Sequence, residues 1–286
     1  MQAQHFTWPR CLADTGVMSR HSPRARALRR IACAGAAALL SGPLLLAPSA
    51  GAATTPTAPA APLVPPTTAP APVVASGTLQ QGAYVPPLTT IVAAAARKLT
   101  PVYDRIGAAK PITTLDNKTN FSGRHVFLVL AREGDWYKVE LPMRPNGRTG
   151  YVKAADVQLY QHDYAIHVSL GGHTMVVYKA GKEIMRETVA VGSAKYPTPV
   201  GSYFLRELAR PGNPRGAYGP YAFGLSAYSN VLQKFGRGDG QIGVHGTNAP
   251  GQLGLSVSHG CIRVRNAAIV LLAKTLPQGV PIDIAA

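Results

Sequence analysis

Between Ala53 and Ser76 the chain reads ATTPTAPAAPLVPPTTAPAPVVAS. Each proline in such a run fixes φ and removes a backbone donor, so the segment favours extended polyproline conformers and cannot bury a core. It reads as a tether over residues 53–78. Any packed domain therefore has to come from residues 79–286. That length allows one large or two small domains.

Upstream of the tether the residues suit an export signal over residues 1–52. Residues 1–17 lack export character, whereas from Met18 onward Arg20, Arg24, Arg26, Arg29 and Arg30 form a basic region. Ile31–Ala47 follows as an apolar run, and Ala50-Gly51-Ala52 has the small-residue spacing of a cleavage site. The expectation is a start at Met18, or else an unusually long basic region, with cleavage after Ala52. Pro43 and Pro48 and the shortness of the apolar run argue against a retained membrane span. Cys33 would suit lipid attachment only if Arg30 were the leucine that such a site wants, and Arg29-Arg30 is a twin-arginine pair without the rest of its motif.

Charge narrows the setting. The whole chain carries 29 Lys+Arg against 13 Asp+Glu, a net +16. Six of the basic and one of the acidic residues precede residue 53, which leaves +11 downstream. That balance suits an acidic surrounding such as anionic wall polymers or lipid. The downstream part has no Lys/Arg-rich run, which speaks against nucleic acid as a partner.

Downstream of the tether, within residues 79–160, Leu79–Leu99 fits no single element, and Pro101–Tyr160 reads as short strands. Ile91–Leu99, with its alanine run, suits a short helix. Val126–Leu130 is apolar, Glu133–Asp135 a turn, Trp136–Leu141 alternating, Pro145–Arg148 another turn and Gly150–Lys153 a further strand. A second unit, 161–286, opens with the alternating strand Tyr164–Leu170 and a hairpin around Ala180-Gly181. Gly201–Leu205 continues as strand, and Arg206–Gly240 reads as loop. Gln241–His245 is a strand, Asn266 a cap for a helix over Ala267–Leu276, and Val280–Ile284 a closing strand. His167 and His173 read as surface or strand-face residues.

The chemistry concentrates in His245–Asn266, HGTNAPGQLGLSVSHGCIRVRN. Only Cys11, Cys33 and Cys261 exist, and the first two leave with the signal. A single exported thiol cannot form an internal disulfide, so Cys261 is there for reactivity or for packing. A thiol of pKa about 8.5 is mostly protonated at neutral pH and needs a base, which an imidazole can be. Gly260 permits a tight bend before Cys261, and amides at such a bend can hold an oxyanion. A zinc site from His245, His259 and Cys261 lacks any CxxC or HxxxH spacing. Neither a metal nor another cofactor is expected.

HGT and SHGCIR, with twelve residues between His245 and Ser258, resemble the signature of the YkuD-type L,D-transpeptidases, cysteine enzymes that cross-link peptidoglycan. Tyr196-Pro-Thr-Pro-Val-Gly-Ser-Tyr203 resembles the same family's TPxGxF/Y segment, and the resemblance spans Tyr164–Ile284. Separately, GDWYKV and GRTGYVKAADV resemble bacterial SH3-like domains. There Trp136 and Tyr151 either bind wall peptide or pack a small barrel's core. Together the resemblances imply a mainly β protein, a β-sandwich catalytic domain with a short helix preceded by a small SH3-like β-barrel.

By resemblance Cys261 is the nucleophile and His245 the general base, its other ring nitrogen oriented by a carbonyl near Gly246. Ser258 and His259 shape the site, and the Gly260 and Cys261 amides donate to the oxyanion. Arg263 orders the loop or meets a substrate carboxylate. The loop before His245 is the family's lid, where Arg210, Arg215, Tyr218 and Tyr221 are candidates to contact a carboxylate-bearing stem peptide, the alternative for Arg210 and Arg215 being plain solvated loop charges. The implied protein is an exported enzyme of periplasm or cell wall, serving wall organisation and cell shape. Its donor is a tetrapeptide stem, and its product a 3–3 cross-link. Water as acceptor makes it an L,D-carboxypeptidase, and a protein lysine makes it an anchoring enzyme. A different-class alternative is a wall-binding module without chemistry. An NlpC/P60-like hydrolase would place its cysteine before its histidine, the reverse of the order here.

Overall fold

The computed structural model describes residues 77–80, 83–117, 124–236 and 238–286. The expected export signal and the tether up to Ser76 lie outside the described residues. The first part is built of short strands: β1 (Thr78–Gln80), β2 (Ala83–Val85), β3 (Thr90–Ala95), β4 (Leu99–Val102), β5 (Thr113–Asp116), β6 (Val126–Glu133), β7 (Trp136–Glu140), β8 (Thr149–Lys153) and β9 (Val157–His162). Five of them form an antiparallel sheet in the order β8-β7-β6-β3-β9. Strand side chains alternate between faces, and both faces of this sheet are used. One buries Phe127, Val129, Tyr137, Val139, Leu141 and Val152 in a core of its own. The other sets Val92, Val126 and Leu128 against Phe204 of the second part.

The alanine run of β3 is strand, where the sequence suggested helix. Thr90–Ala95 pairs with β6 on one side and β9 on the other, and Val92, Ala93 and Ala95 are fully buried. Helix propensity among ordinary residues is worth less than about 1 kcal/mol each. Two ladders and burial on both faces outweigh it.

The second part contains β10 (Tyr164–Ser169), β11 (Thr174–Lys179), β12 (Lys182–Thr188), β13 (Val191–Gly192), β14 (Gly201–Ala209), β15 (Ala222–Tyr228), β16 (Gln241–His245), β17 (Ser256–Ser258), β18 (Ile262–Arg263), the helix α1 (Asn266–Thr275) and β19 (Pro281–Ala285). Eight of these strands make one mixed sheet, β12-β11-β10-β19-β14-β15-β16-β18. β10–β19 and β16–β18 are its parallel pairs. Ile269 and Leu272 of α1 join Ile166, Leu205, Leu225, Ile242 and Ile262 in the main core. Each such side chain contributes roughly 1.5–3 kcal/mol on leaving water. The protein is mainly β, as expected.

Two local readings change. Ala222–Tyr228 is a strand buried at all seven positions, not loop. Its small Gly224 and Ser226 carry little strand preference, and burial between neighbours decides the outcome. Asn266 does not cap α1 with its side chain, because its Oδ1 instead accepts from Thr247 N at 2.8 Å.

Candidate active site

β16 carries His245 at its end, and β18 runs parallel beside it with Val244 opposite Ile262 and His245 opposite Arg263. Cys261 immediately precedes β18, so this pairing brings the two motif halves together. Cys261, His245, Ser258, His259 and Arg263 all line one pocket. Cys261 is partly exposed.

His245 is 4% exposed, and its Nδ1 lies 2.6 Å from Gly246 O. A carbonyl only accepts, so Nδ1 carries the proton and Nε2 keeps its lone pair. Burial pushes the imidazole down to about 4, the Arg263 charge adds to this, and the Gly246 bond partly opposes it. The ring is therefore neutral at physiological pH. Tyr218 packs on it at 4.7 Å between ring centroids. Gly246 has no room for a side chain, since a Cβ there would fall 2.3 Å from Asn266 Oδ1.

The turn before the cysteine is fixed from several sides. Gly260 has φ +115°, a region that favours glycine, and a Cβ would fall 2.8 Å from Ile242 Cδ1. Ser258 Oγ donates to Cys261 O at 2.6 Å and accepts from Gly260 N at 3.1 Å. The Gly260 amide is thus engaged within the turn, contrary to its expected place among the oxyanion donors. Thr198, fully inside the TPxGxY stretch, donates from Oγ1 to Gly260 O and accepts from Gly192 N, both at 2.8 Å. His259 is exposed but flanked by Tyr196 at 4.8 Å and Phe235 at 5.0 Å. Partial burial and the charges of Arg263 and Lys195 lower its basicity. Arg263 Nη1 donates to Gln252 Oε1 at 2.8 Å.

A family model for the L,D-transpeptidase catalytic domain, YkuD, matches residues 163–284. A Bacillus licheniformis protein named as an L,D-transpeptidase, YkuD, is 34% identical over 121 residues, which are 42% of this chain and 65% of that one. Its Bacillus subtilis counterpart is 32% identical over 125 residues, 44% of this chain and 68% of the relative. The chain belongs to the YkuD L,D-transpeptidase family. It spans about two thirds of the length of these two relatives. A solved L,D-transpeptidase of Mycobacterium tuberculosis aligns over 58% of this chain and 74% of its own, with 19% identity and a TM-score of 0.38.

Within the YkuD domain the lid residues separate. Tyr218 lines the pocket, while Arg210, Arg215 and Tyr221 are not among its lining residues. Arg210 Nη2 donates to Tyr221 Oη at 2.5 Å, and Arg215 is solvent-facing. The pocket is also lined by residues that sequence reasoning did not single out, Arg206, Tyr228, Phe235 and Asp239. Outside the domain, Trp136 and Tyr151 are half-exposed and absent from the first sheet's core, where Phe127 and Tyr137 sit instead. Trp136 packs edge-on against Tyr103 at 5.1 Å under the Lys153 ammonium. His167, on a face of β10, stacks on Tyr84 at 4.3 Å, and His173, in the turn before β11, reaches Ser256 Oγ at 3.0 Å. Among the described residues no group of three His, Cys, Asp or Glu side chains is arranged to hold a metal ion.

Proposed function

We propose that this protein is an exported cysteine transpeptidase that joins peptidoglycan stems by 3–3 links. The observation that carries the reading is His245, buried, neutral and held by Gly246 O so that Nε2 is the basic nitrogen of a pocket shared with Cys261. His245 Nε2 takes the thiol proton, and the Cys261 sulfur attacks the carbonyl of the third stem residue. The bond to D-Ala breaks, its amine leaves with the proton from His245, and a thioester remains. The amine of a neighbouring stem attacks the thioester and passes its proton to His245, the C–S bond breaks to give the cross-link, and the departing Cys261 sulfur recovers that proton from His245. The positive charge of Arg263 favours the neutral imidazole that serves as the base.

The reading includes export by residues 1–52, a tether at 53–78, an SH3-like domain at 79–160 and the catalytic domain at 161–286. The basic balance of the downstream chain supports a setting among anionic wall polymers. Among the described residues no helix is long and apolar enough to cross a membrane. Mass spectrometry of purified tetrapeptide stems incubated with the protein tests the reaction. A cross-linked dimer lacking one D-Ala is expected. Stems trimmed by D-Ala without dimers would assign water as the acceptor, and unaltered stems with no Cys261 acyl-thioester would overturn the reading.

A further inference from the structure

One wall of the active-site pocket is held from outside the catalytic sheet. Leu232, Phe235, Gly238 and Asp239, on the segment that follows β15, line the pocket, and the Phe235 ring packs tilted against His259 at 5.0 Å. Ser229 N donates to Gly240 O at 2.8 Å and closes the base of this segment. Arg144 then bridges its two limbs. Nη1 donates to Ser229 O at 2.5 Å, and Nη2 donates to Leu232 O at 3.0 Å and Asp239 O at 2.8 Å. The same guanidinium lies 5.0 Å over the Tyr228 ring. Gly240 allows this approach, because a Cβ there would fall 2.8 Å from Arg144 Nη2.

Asn146, two residues on, extends the grip to the end of β15. Its Oδ1 accepts from Tyr228 N at 2.9 Å, and its Nδ2 donates to Tyr228 O at 2.8 Å. The side-chain amide thereby pairs with the strand edge as a neighbouring backbone would. Tyr228 Oη donates back to Pro142 O at 3.0 Å. All three contacting residues, Pro142, Arg144 and Asn146, lie between β7 and β8 of the first sheet. A planar cation spanning three carbonyls is a stiff, charge-assisted contact that lysine cannot reproduce.

We propose that Arg144 and Asn146 are positioning residues for the active site. They hold the Phe235 wall against His259 and so set the pocket's fit to the stem peptide. His245 ends β16 and Cys261 immediately precedes β18, both outside the clamped segment. Loss of the clamp therefore weakens substrate binding while leaving the thiol's own reactivity intact. The activity arm of the test rests on the proposed transpeptidase reading, and the exchange arm does not.

The experiment compares full-length wild type, Arg144→Ala, Arg144→Lys and Asn146→Ala. Three readouts are taken: amide hydrogen exchange at Leu232 and Phe235, Cys261 alkylation by iodoacetamide, and steady-state kinetics on a tetrapeptide stem. Losing a charge-assisted hydrogen bond is worth on the order of tenfold. Exchange at both amides is expected to quicken about tenfold or more in Arg144→Ala, with Arg144→Lys intermediate. KM should rise about tenfold with kcat changed far less, and alkylation should stay within about twofold. If Arg144→Ala does not fold, Arg144→Lys and Asn146→Ala carry the same expectations at smaller size. Unchanged exchange overturns the clamp. Faster exchange with unchanged KM, or alkylation falling in step with stem turnover, overturns its role in positioning. A wild type that leaves stems untouched refutes the transpeptidase reading, and the exchange result still decides the clamp.

Discussion

The two sides of the pocket are built in different ways. The side bearing Cys261 and His245 rests on backbone pairing between β16 and β18 and on a turn stitched by Ser258 and Thr198. The opposite wall is held by side chains from a separate sheet, chiefly Arg144 and Asn146. Chemistry demands particular residues close together in sequence, so the first side is written as a motif. Positioning demands only that some donor reach some carbonyl, and the donors here lie more than eighty residues away. On the proposed reading, reactivity and fit rest on different parts of this molecule, and each side can be tested without the other.

The largest effects belong to the motif side. Cys261→Ala is expected to abolish the acyl adduct with a stem peptide or a carbapenem, read by intact-protein mass spectrometry. His245→Ala should slow acylation by roughly 10²–10⁴-fold, the usual worth of a positioned general base. Wild-type acylation by His245→Ala across neutral pH would move the base to His259. Because the imidazole is pushed down to about 4, wild-type acylation should not fall between pH 8 and pH 6 through His245 protonation.

Glu140 tests the joint between the sheets. Its carboxyl is buried and accepts from Ser226 Oγ at 2.7 Å, on the strand that leads into the clamped wall. Burial raises its pKa from 4.5 to about 7, and the Ser226 bond only partly opposes this. The native state thus keeps a proton that the unfolded chain releases near pH 4.5. Stability from this group is full below that pH and is lost as pH rises toward 7, by roughly 2–4 kcal/mol. Glu140→Gln removes the titration. Its stability relative to wild type, from urea unfolding at several pH values, should climb across that window. Parallel profiles would show that Glu140 titrates alike in both states.

Thr198 sharpens the comparison on the motif side. Thr198→Val keeps the shape but strands the buried Gly260 O and the partly buried Gly192 N. The expected cost is about 1–3 kcal/mol in unfolding free energy. Acylation should also slow, since the Gly260 carbonyl helps fix the turn before Cys261. Thr198→Ser should restore both. A Val variant with wild-type acylation would mean that Ser258 alone holds the turn.

What the sequence conveyed follows the same division. Cys261, His245 and Gly260 were legible because each has few chemical substitutes at its position, and the φ of Gly260 bears out the bend. The strands around Val126, Trp136 and Gly150 were legible from alternation and turn residues. β3 was not, because an alanine run favours helix until two neighbours pair with it. β15 was not, because Gly224, Ser226 and Ala227 owe their conformation to what covers them. Pro145-Asn146-Gly147 was readable as a turn, but nothing local says that Asn146 pairs with Tyr228. The Gly260 amide could not be placed either, since its use by Ser258 depends on a rotamer.

The smallest effects mark where neither side reaches. Arg215 and Tyr221 were candidates for substrate contact from their place in the lid. The structure puts Arg215 in solvent and packs Tyr221 at the margin of the main core, its hydroxyl taken by Arg210. Only Tyr218 of that group lies on the pocket, against the His245 ring. Arg215→Ala should therefore change kcat/KM on a tetrapeptide stem by less than about twofold, as expected for a surface substitution worth under about 0.5 kcal/mol. Tyr221→Phe removes only the hydroxyl and should do the same, whereas Tyr218→Ala exposes the imidazole and should cost several-fold more. An Arg215→Ala protein with KM raised tenfold would return the lid cation to the site. It would also show that the pocket closes further around its substrate than the Phe235 wall alone provides.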